Sequence, residues 1–215
     1  MIVSIDGPAA SGKSTTASLL AKKLSFIHLN TGLLYRAVTY IYIENNLIDR
    51  SDICIDNFFI LHSLKIKGKN FNQIFWNDKN ITKYLINENI NRYINIISNN
   101  THIRKYLVRI QREFAIGKNI VCEGRDIGTV VFPNADYKFY LIADLKSRID
   151  RRYREIKKNN INISRIGIKS NIIKRDYNDM NRSISPLTKA VDAIEIDTTL
   201  MSINEQVKYI YKKIK

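Results

Sequence analysis

Gly7-Pro8-Ala9-Ala10-Ser11-Gly12-Lys13-Ser14-Thr15 has the spacing G-x-x-x-x-G-K-S, and this stretch decides the fold. Ahead of it, Met1-Ile2-Val3-Ser4-Ile5 is a mostly β-branched run ending in Asp6, which reads as a short strand. Behind it, Thr16 to Leu24 carries apolar residues at helical spacing. A strand, a glycine-bearing loop and a helix, in that order, form the context in which such a loop cradles phosphate. Glycines and small residues let backbone N–H groups turn inward around an anion. The helix opening near Lys13 adds the positive end of its dipole and its unpaired N–H groups. Lys13 can reach β- and γ-phosphates, and the Ser14 hydroxyl can ligate Mg²⁺.

The chain has 215 residues, which suits one α/β domain with an insertion or two small domains. Hydrophobic content of 45% supports a core, and 26% charged residues argue against global disorder. No basic segment followed by an apolar one precedes the first strand, and no apolar run approaches membrane-spanning length. The expectation is a cytoplasmic protein with no membrane partner. Cys54 and Cys122 cannot form a zinc site alone and are expected as reduced thiols. His28, His62 and His102 show no ligand spacing. The formal charge of +15 fits nucleic acid or small polyanions such as nucleotides. Lys, Asn and Ile are abundant throughout, so the placement of arginines says more than net charge.

Along the chain, a second strand is expected at His28-Leu29-Asn30 and a helix over Leu33–Ile43, with Thr31 as its N-cap. A further helix is expected near 52–62. From 63 the pattern changes: Leu64-Lys65-Ile66-Lys67 and Phe71–Trp76 alternate around Gly68-Lys69-Asn70, which predicts a hairpin, with Ile81-Thr82 as a third short strand. Asn87–Ser98 reads as a helix, and Thr101 caps another running to about Ile116 and ended by Gly117. Lys118–Cys122 and Tyr137–Ile142 read as strands, Lys146–Lys158 as an arginine-rich helix, and 159–169 as a polar connector. A helix over Ile172–Asn181, a strand over Ala193–Asp197 and a helix over Ile203–Ile214 complete the chain.

These elements predict a P-loop three-layer α/β/α fold with a five-stranded parallel sheet, a small antiparallel β insert and a short helical lid. The expected division is a core of 1–35, 101–150 and 169–215, an acceptor-binding region of 36–100 with its insert at about 63–100, and a lid at 151–168. Ligands bind beyond the carboxyl ends of parallel strands, where loops 7–14, 30–36 and 123–128 fall.

Arginines stand at informative points. Arg36 follows the second strand, Arg104 starts a helix, and Arg125 leaves a central strand beside Asp126. Arg148 and Arg152 share a helical face, with Arg151 between them. Arg175, Asp179 and Arg182 stand at i, i+4 and i+7. Alone, this set reads as an ion-pair stripe; beside a phosphate loop, it reads as a grip on a phosphate and a ribose. Asp126 either orients Arg125 or holds Mg²⁺ through water, or it only braces the loop through a salt bridge.

Asp6-Gly7-Pro8, Asn30-Thr31-Gly32-Leu33-Leu34-Tyr35-Arg36, Glu123-Gly124-Arg125-Asp126-Ile127-Gly128-Thr129-Val130-Val131-Phe132-Pro133, Arg175-Asp176, Asn181-Arg182 and Pro186-Leu187 together resemble the bacterial cytidylate kinases, in order and spacing, over essentially the whole chain. The resemblance implies transfer of the γ-phosphoryl of Mg·ATP to CMP or dCMP. It implies ATP binding by Gly7, Pro8, Ala9, Ala10, Ser11, Gly12, Lys13, Ser14, Thr15 and Arg151. It implies CMP binding by Thr31, Tyr35, Arg36, Arg104, Arg125, Asp126, Arg175, Asp179 and Arg182. Catalysis would fall to Lys13, Arg125, Asp126, Arg148 and Arg152. The sequence departs from the family pattern at Asn95, where a cytosine-contacting serine is expected, and at Asn178, where an arginine is common. A small-acceptor kinase such as one for shikimate, a nucleic-acid-binding protein and a nucleotide switch are the rival readings. The expected partners are small molecules, and the expected state is a monomer.

Overall fold

Strand β1 (Ile2–Asp6) feeds the loop and then helix α1 (Lys13–Leu24), as the motif requires. The computed structural model describes residues 1–48, 50, 58, 63–67, 73–158 and 164–215. β2 (Ile27–Asn30) runs directly into α2 (Thr31–Glu44). The cap of α2 is Asn30 rather than Thr31: its side chain accepts the Leu33 N–H. A three-stranded antiparallel sheet follows, made of β3 (Leu64–Lys67), β4 (Gln73–Trp76) and β5 (Lys79–Asn80). The third strand is therefore Lys79–Asn80 instead of Ile81-Thr82. Asn77 and Asp78 both take positive φ, which closes a two-residue hairpin turn and brings the chain back that early. The hairpin tip and the start of its second arm, like nearly all of the helix expected near 52–62, lie outside the described residues.

Helices α3 (Glu88–Asn99) and α4 (Thr101–Ala115) come next, and each is capped by asparagine. Asn87 accepts from Ile90 N–H, and Asn100, not Thr101, accepts from Ile103 N–H. β6 (Ile120–Gly124) leads into a single π-turn at Ile127–Val131. β7 (Tyr137–Ile142), α5 (Leu145–Lys158), α6 (Arg165–Asn181), β8 (Ile194–Asp197) and α7 (Ile203–Ile214) complete the order. α6 begins at Arg165, earlier than the connector expected up to Lys169, because Ser164 caps it by accepting the Gly167 N–H.

The five parallel strands lie in the order β2-β6-β1-β7-β8, so the sheet reverses direction of growth at β1. Asp6 stands opposite Gly124 and Tyr140, and Asn30 opposite Glu123. The carboxyl ends that carry the three expected loops are thereby adjacent, at a topological switch point. On one face, Val3, Ile5, Leu20, Val121, Phe139 and Ile210 form a buried cluster with α1 and α7. On the other, Leu29, Ile120, Cys122, Ile127 and Val131 pack together.

The insert has a core of its own, which joins α2 to α3 and α4 through Leu34, Val38, Ile41, Ile74, Leu85, Ile90, Ile97 and Leu107. Tyr40 stacks on Tyr84 at 5.6 Å and meets Trp76 edge-on. Each fully buried Leu or Ile in this cluster contributes roughly 1.5–3 kcal/mol. This packing sets the face of α2 that bears Tyr35 and Arg36 against the neighbouring helices.

Candidate active site

The loop after β1 turns through three positive φ angles, at Gly7 (145°), Ala10 (58°) and Gly12 (97°). Gly7 is required on steric grounds as well: a Cβ there would sit 2.1 Å from the Leu141 carbonyl oxygen. Lys13 is buried at 5% exposure and donates to the Pro8 carbonyl at 2.7 Å. Burial, and then the nearby Arg125, hold its ammonium well below the ordinary lysine range. A buried cation with a neutral carbonyl as its partner is primed for an anion. Ser14 and Thr15 face solvent, whereas the Ser11 hydroxyl is buried with no hydrogen-bond partner among the described residues.

Asp6 ends β1 beneath this loop. Its Oδ1 accepts from Ile127 N–H at 2.9 Å and its Oδ2 from Gly128 N–H at 2.8 Å. Burial pushes its carboxyl up to about 6, against the pull of those two amides. Asp6 thus ties the phosphate loop to the π-turn behind Asp126.

The α5 arginines divide. Arg148 donates to the Ala9 carbonyl at 3.2 Å and pairs with Asp176. Arg151 donates to the Ser11 carbonyl at 3.2 Å and to Thr198. Both therefore touch the phosphate loop. Arg152 instead pairs with Glu155 at 2.8 Å, so the structure does not bring it into the loop with its neighbours.

On the other side of the cleft, Asp126 and Asp179 organise four arginines. Asp126 is 5% exposed; it pairs with Arg104 and stands 3.8 Å from Arg182. Asp179 accepts from Arg125 Nε at 2.7 Å and lies 3.5 Å from Arg182 and 4.0 Å from Arg175. Burial works against the Arg125 charge, but Asp179 outweighs it and holds the guanidinium above its ordinary range. Burial also opposes ionisation of Asp179, yet Arg125 and Arg175 keep its carboxyl below the usual range. Arg182 is pulled down by burial and then by Arg104. It sits just past the end of α6 and donates to the Ser185 carbonyl at 2.6 Å.

Arg104 also lies over the Tyr35 ring at 5.3 Å. Burial pushes the Tyr35 phenol up to about 12, so it remains a hydrogen-bond donor at neutral pH. Arg36 donates to Leu85 O at 3.0 Å and Asn91 Oδ1 at 2.9 Å, both on the insert side, and its charge is felt at Arg175. The Thr31 hydroxyl is spent on the Glu123 carbonyl at 2.9 Å. Asn95 is half-buried on α3, and its carbonyl accepts from Ser98.

Several bracing contacts not legible in the sequence emerge here. Asp6, Asp176, Thr198 and Gln206 brace the loop from four elements; Gln206 accepts from Thr16 at 2.7 Å. Glu123 is 3% exposed, and its Oε1 has no hydrogen-bond partner among the described residues; His28 Nε2 lies 3.8 Å away. Asp6, Glu123 and Asp176 stand in the family-like motifs of the sequence, but their individual contacts are not legible there.

A parallel sheet with a G-x-x-x-x-G-K-S loop at its switch point, beside a cluster of carboxylate-paired arginines, is the architecture of a P-loop kinase. The family model described as cytidylate kinase matches residues 3–215. A cytidylate kinase of Thermotoga neapolitana is 43% identical over 99% of this chain and 96% of its own length. One from Fusobacterium nucleatum subsp. nucleatum is 39% identical over 100% of this chain and 97% of its own. A solved structure of an uncharacterized protein from Eubacterium ventriosum shares the fold, with a TM-score of 0.51 at 12% identity, covering 100% of this chain and 98% of that one. The chain belongs to the cytidylate kinase family.

Proposed function

We propose that the chain transfers the γ-phosphoryl group of ATP to CMP or dCMP, giving ADP and CDP or dCDP. The observation that carries this reading is the pairing of the two clusters: buried Lys13 at the phosphate loop neighbours Arg125 and Arg175, which share Asp179 with Arg182. The electrostatic coupling of Lys13 to Arg125 and Arg175 places them in one field. Loop 7–15 and Arg151 hold the donor phosphates. Arg125, Arg175 and Arg182 hold the acceptor phosphate and sugar, while Arg104, Asp126 and Tyr35 face the base. Arg36 joins them by leaving its insert partners.

Phosphoryl transfer asks for positioned charge rather than covalent help. An acceptor phosphate is already ionised at neutral pH, so no strong general base is needed. Lys13, Arg125 and Arg148 offset charge that spreads over the migrating group, in a site where burial strengthens each contact. Arg152 reaches that group only by exchanging Glu155 for phosphate. Asp126 acts as the orienting carboxylate for Arg104 and Arg182.

Magnesium supplies neutralisation of the β- and γ-oxygens when it arrives with ATP. Among the described residues no cluster of carboxylates, imidazoles or thiols could hold a metal alone, which fits an ion carried largely by the phosphates. Ser14 and Glu123 would hold it from the protein side. Glu123 fits because its oxygen has no bond, whereas Asp6 accepts two amides and Asp126 is paired with arginines.

The insert and the lid expected at 151–168, of which 68–72 and 159–163 respectively lie outside the described residues, are read as closing on their ligands; slower amide exchange over 73–100 and 151–158 with CMP and an ATP analogue bound is the expected sign, and unchanged exchange contradicts it. We further read the chain as a cytoplasmic enzyme active as a single copy, with its charge serving polyanionic substrates rather than nucleic acid. Sedimentation at assay concentration and duplex DNA binding across salt concentrations test these points; a stable dimer or tight, steeply salt-dependent binding contradicts them. Among the described residues no helix is long and apolar enough to cross a membrane.

The direct test of the reaction is ³¹P NMR of Mg·ATP with CMP. The expected result is CDP and ADP in equal amounts, lost in Lys13→Ala. ADP with inorganic phosphate alone would mark hydrolysis and overturn the reading.

A further inference from the structure

Asp176 shares α6 with Arg175 and Asp179 but has different partners. Its carboxylate is nearly buried, at 8% exposure. Oδ1 accepts the Ala9 N–H at 2.9 Å, and Oδ2 accepts from Arg148. Arg148 also donates to the Ala9 carbonyl at 3.2 Å. Both backbone groups of one phosphate-loop residue are thus gripped, directly or through Arg148, by a carboxylate of α6. Ala10, next in the chain, holds a left-handed φ of 58°, so this stretch of loop has little freedom to drift from its clamp. One turn further along the same helix, Asp179 binds Arg125 and lies close to Arg182 and Arg175. α6 is therefore fastened to the donor loop at Asp176 and to the acceptor arginines at Asp179.

We propose that Asp176 is a positioning residue that couples the two substrate sites. Donor phosphate competes with the Asp176 carboxylate for the Ala9 N–H and for Arg148, because both anions are drawn to the same small region of positive charge. Any shift in that shared set moves Asp176, and a continuous helix passes the displacement to Asp179 and its arginines. The coupling is reciprocal, since linkage requires that CMP alter donor affinity by the same factor. This inference rests on reading the loop as the donor site and the Asp179 arginines as the acceptor site.

The test is calorimetric titration of CMP into the full-length protein, alone and with a saturating β,γ-imido ATP analogue and Mg²⁺. Wild type is expected to change its CMP affinity on the order of 5–150-fold between the two conditions. Asp176→Asn, which preserves volume, is expected to bring that ratio within roughly twofold of unity while CMP affinity alone stays within about threefold of wild type. A merely structural role would lower thermal stability or both separate affinities without erasing the ratio. Arg148→Lys breaks the same ring from the other side and is expected to lose the ratio too, so it decides the matter if Asp176→Asn does not fold. A wild-type ratio retained in the folded variants, or no ratio in wild type, overturns the proposal. Failure of turnover on CMP with the ratio intact would instead contradict the reaction and leave the coupling standing.

Discussion

At the scale of single residues, the site is a set of buried charges whose pairings decide what each can do. Arg182 is held between Asp126 and Asp179, so its truncation leaves both carboxylates short of a partner and removes the contact proposed for the acceptor. Arg182→Ala is expected to lower kcat/KM for CMP by two or more decades, roughly 3 kcal/mol, with KM for ATP little changed. An unchanged kcat/KM for CMP would remove Arg182 from the acceptor site. Asp6 gives a pH signature. Its carboxyl is raised from 3.8 to about 6, so the native state favours the protonated form. That contribution to stability is full below the unfolded value and is lost as pH rises through about 6. The difference corresponds to ~3 kcal/mol at most. Urea unfolding of wild type and Asp6→Asn between pH 4.5 and 7.5 is expected to show the variant gaining relative stability as pH rises; a gap constant with pH would contradict the assignment.

At the scale of elements, the loop and its flanks were readable because hard local rules govern them. Gly7 must be glycine both for its φ and for the approach of Leu141. Gly7→Ala is expected to destabilise by more than about 2 kcal/mol in urea titration, since a Cβ 2.1 Å from a sheet carbonyl cannot be relieved without moving β1 or β7. Stability near wild type would show that the strand ends are looser than the register implies. The core strands and α7 were equally legible from composition and periodicity. Helix starts were misplaced by one residue at Thr31 and Thr101 because an asparagine precedes each, and either side chain can cap. The start of α6 is missed because buried Ile168 and Ile172 alternate with exposed Ile166 and Ile173, so the isoleucines do not single out one face.

At the scale of the whole molecule, the sheet order makes three distant loops into one site. Asp6 and Asn30 end their strands opposite Gly124 and Glu123 at the end of β6, and that neighbourhood follows from the β2-β6-β1 order rather than from any local pattern. This is why the arginines and the carboxylates Asp126 and Asp179 are legible one by one, while the pairing of Arg104 with Asp126 and of Arg125 with Asp179 is not. The i, i+4, i+7 spacing of Arg175, Asp179 and Arg182 suggested a grip, yet only folding adds Arg125 from β6 and places Arg104 of α4 on Asp126. The packing of α2 against α3 and α4, with Arg104 over the Tyr35 ring, is likewise a property of the assembled molecule. The measurement that tests the central claim most directly is ADP release with Mg·ATP and a panel of CMP, dCMP, UMP, AMP, GMP and shikimate. The account predicts strong turnover with CMP and dCMP and kcat/KM at least tenfold lower, about 1.4 kcal/mol, for every other acceptor. Equal efficiency on UMP or AMP would contradict the assignment of the base-facing residues, and turnover on none of the six would contradict the kinase itself.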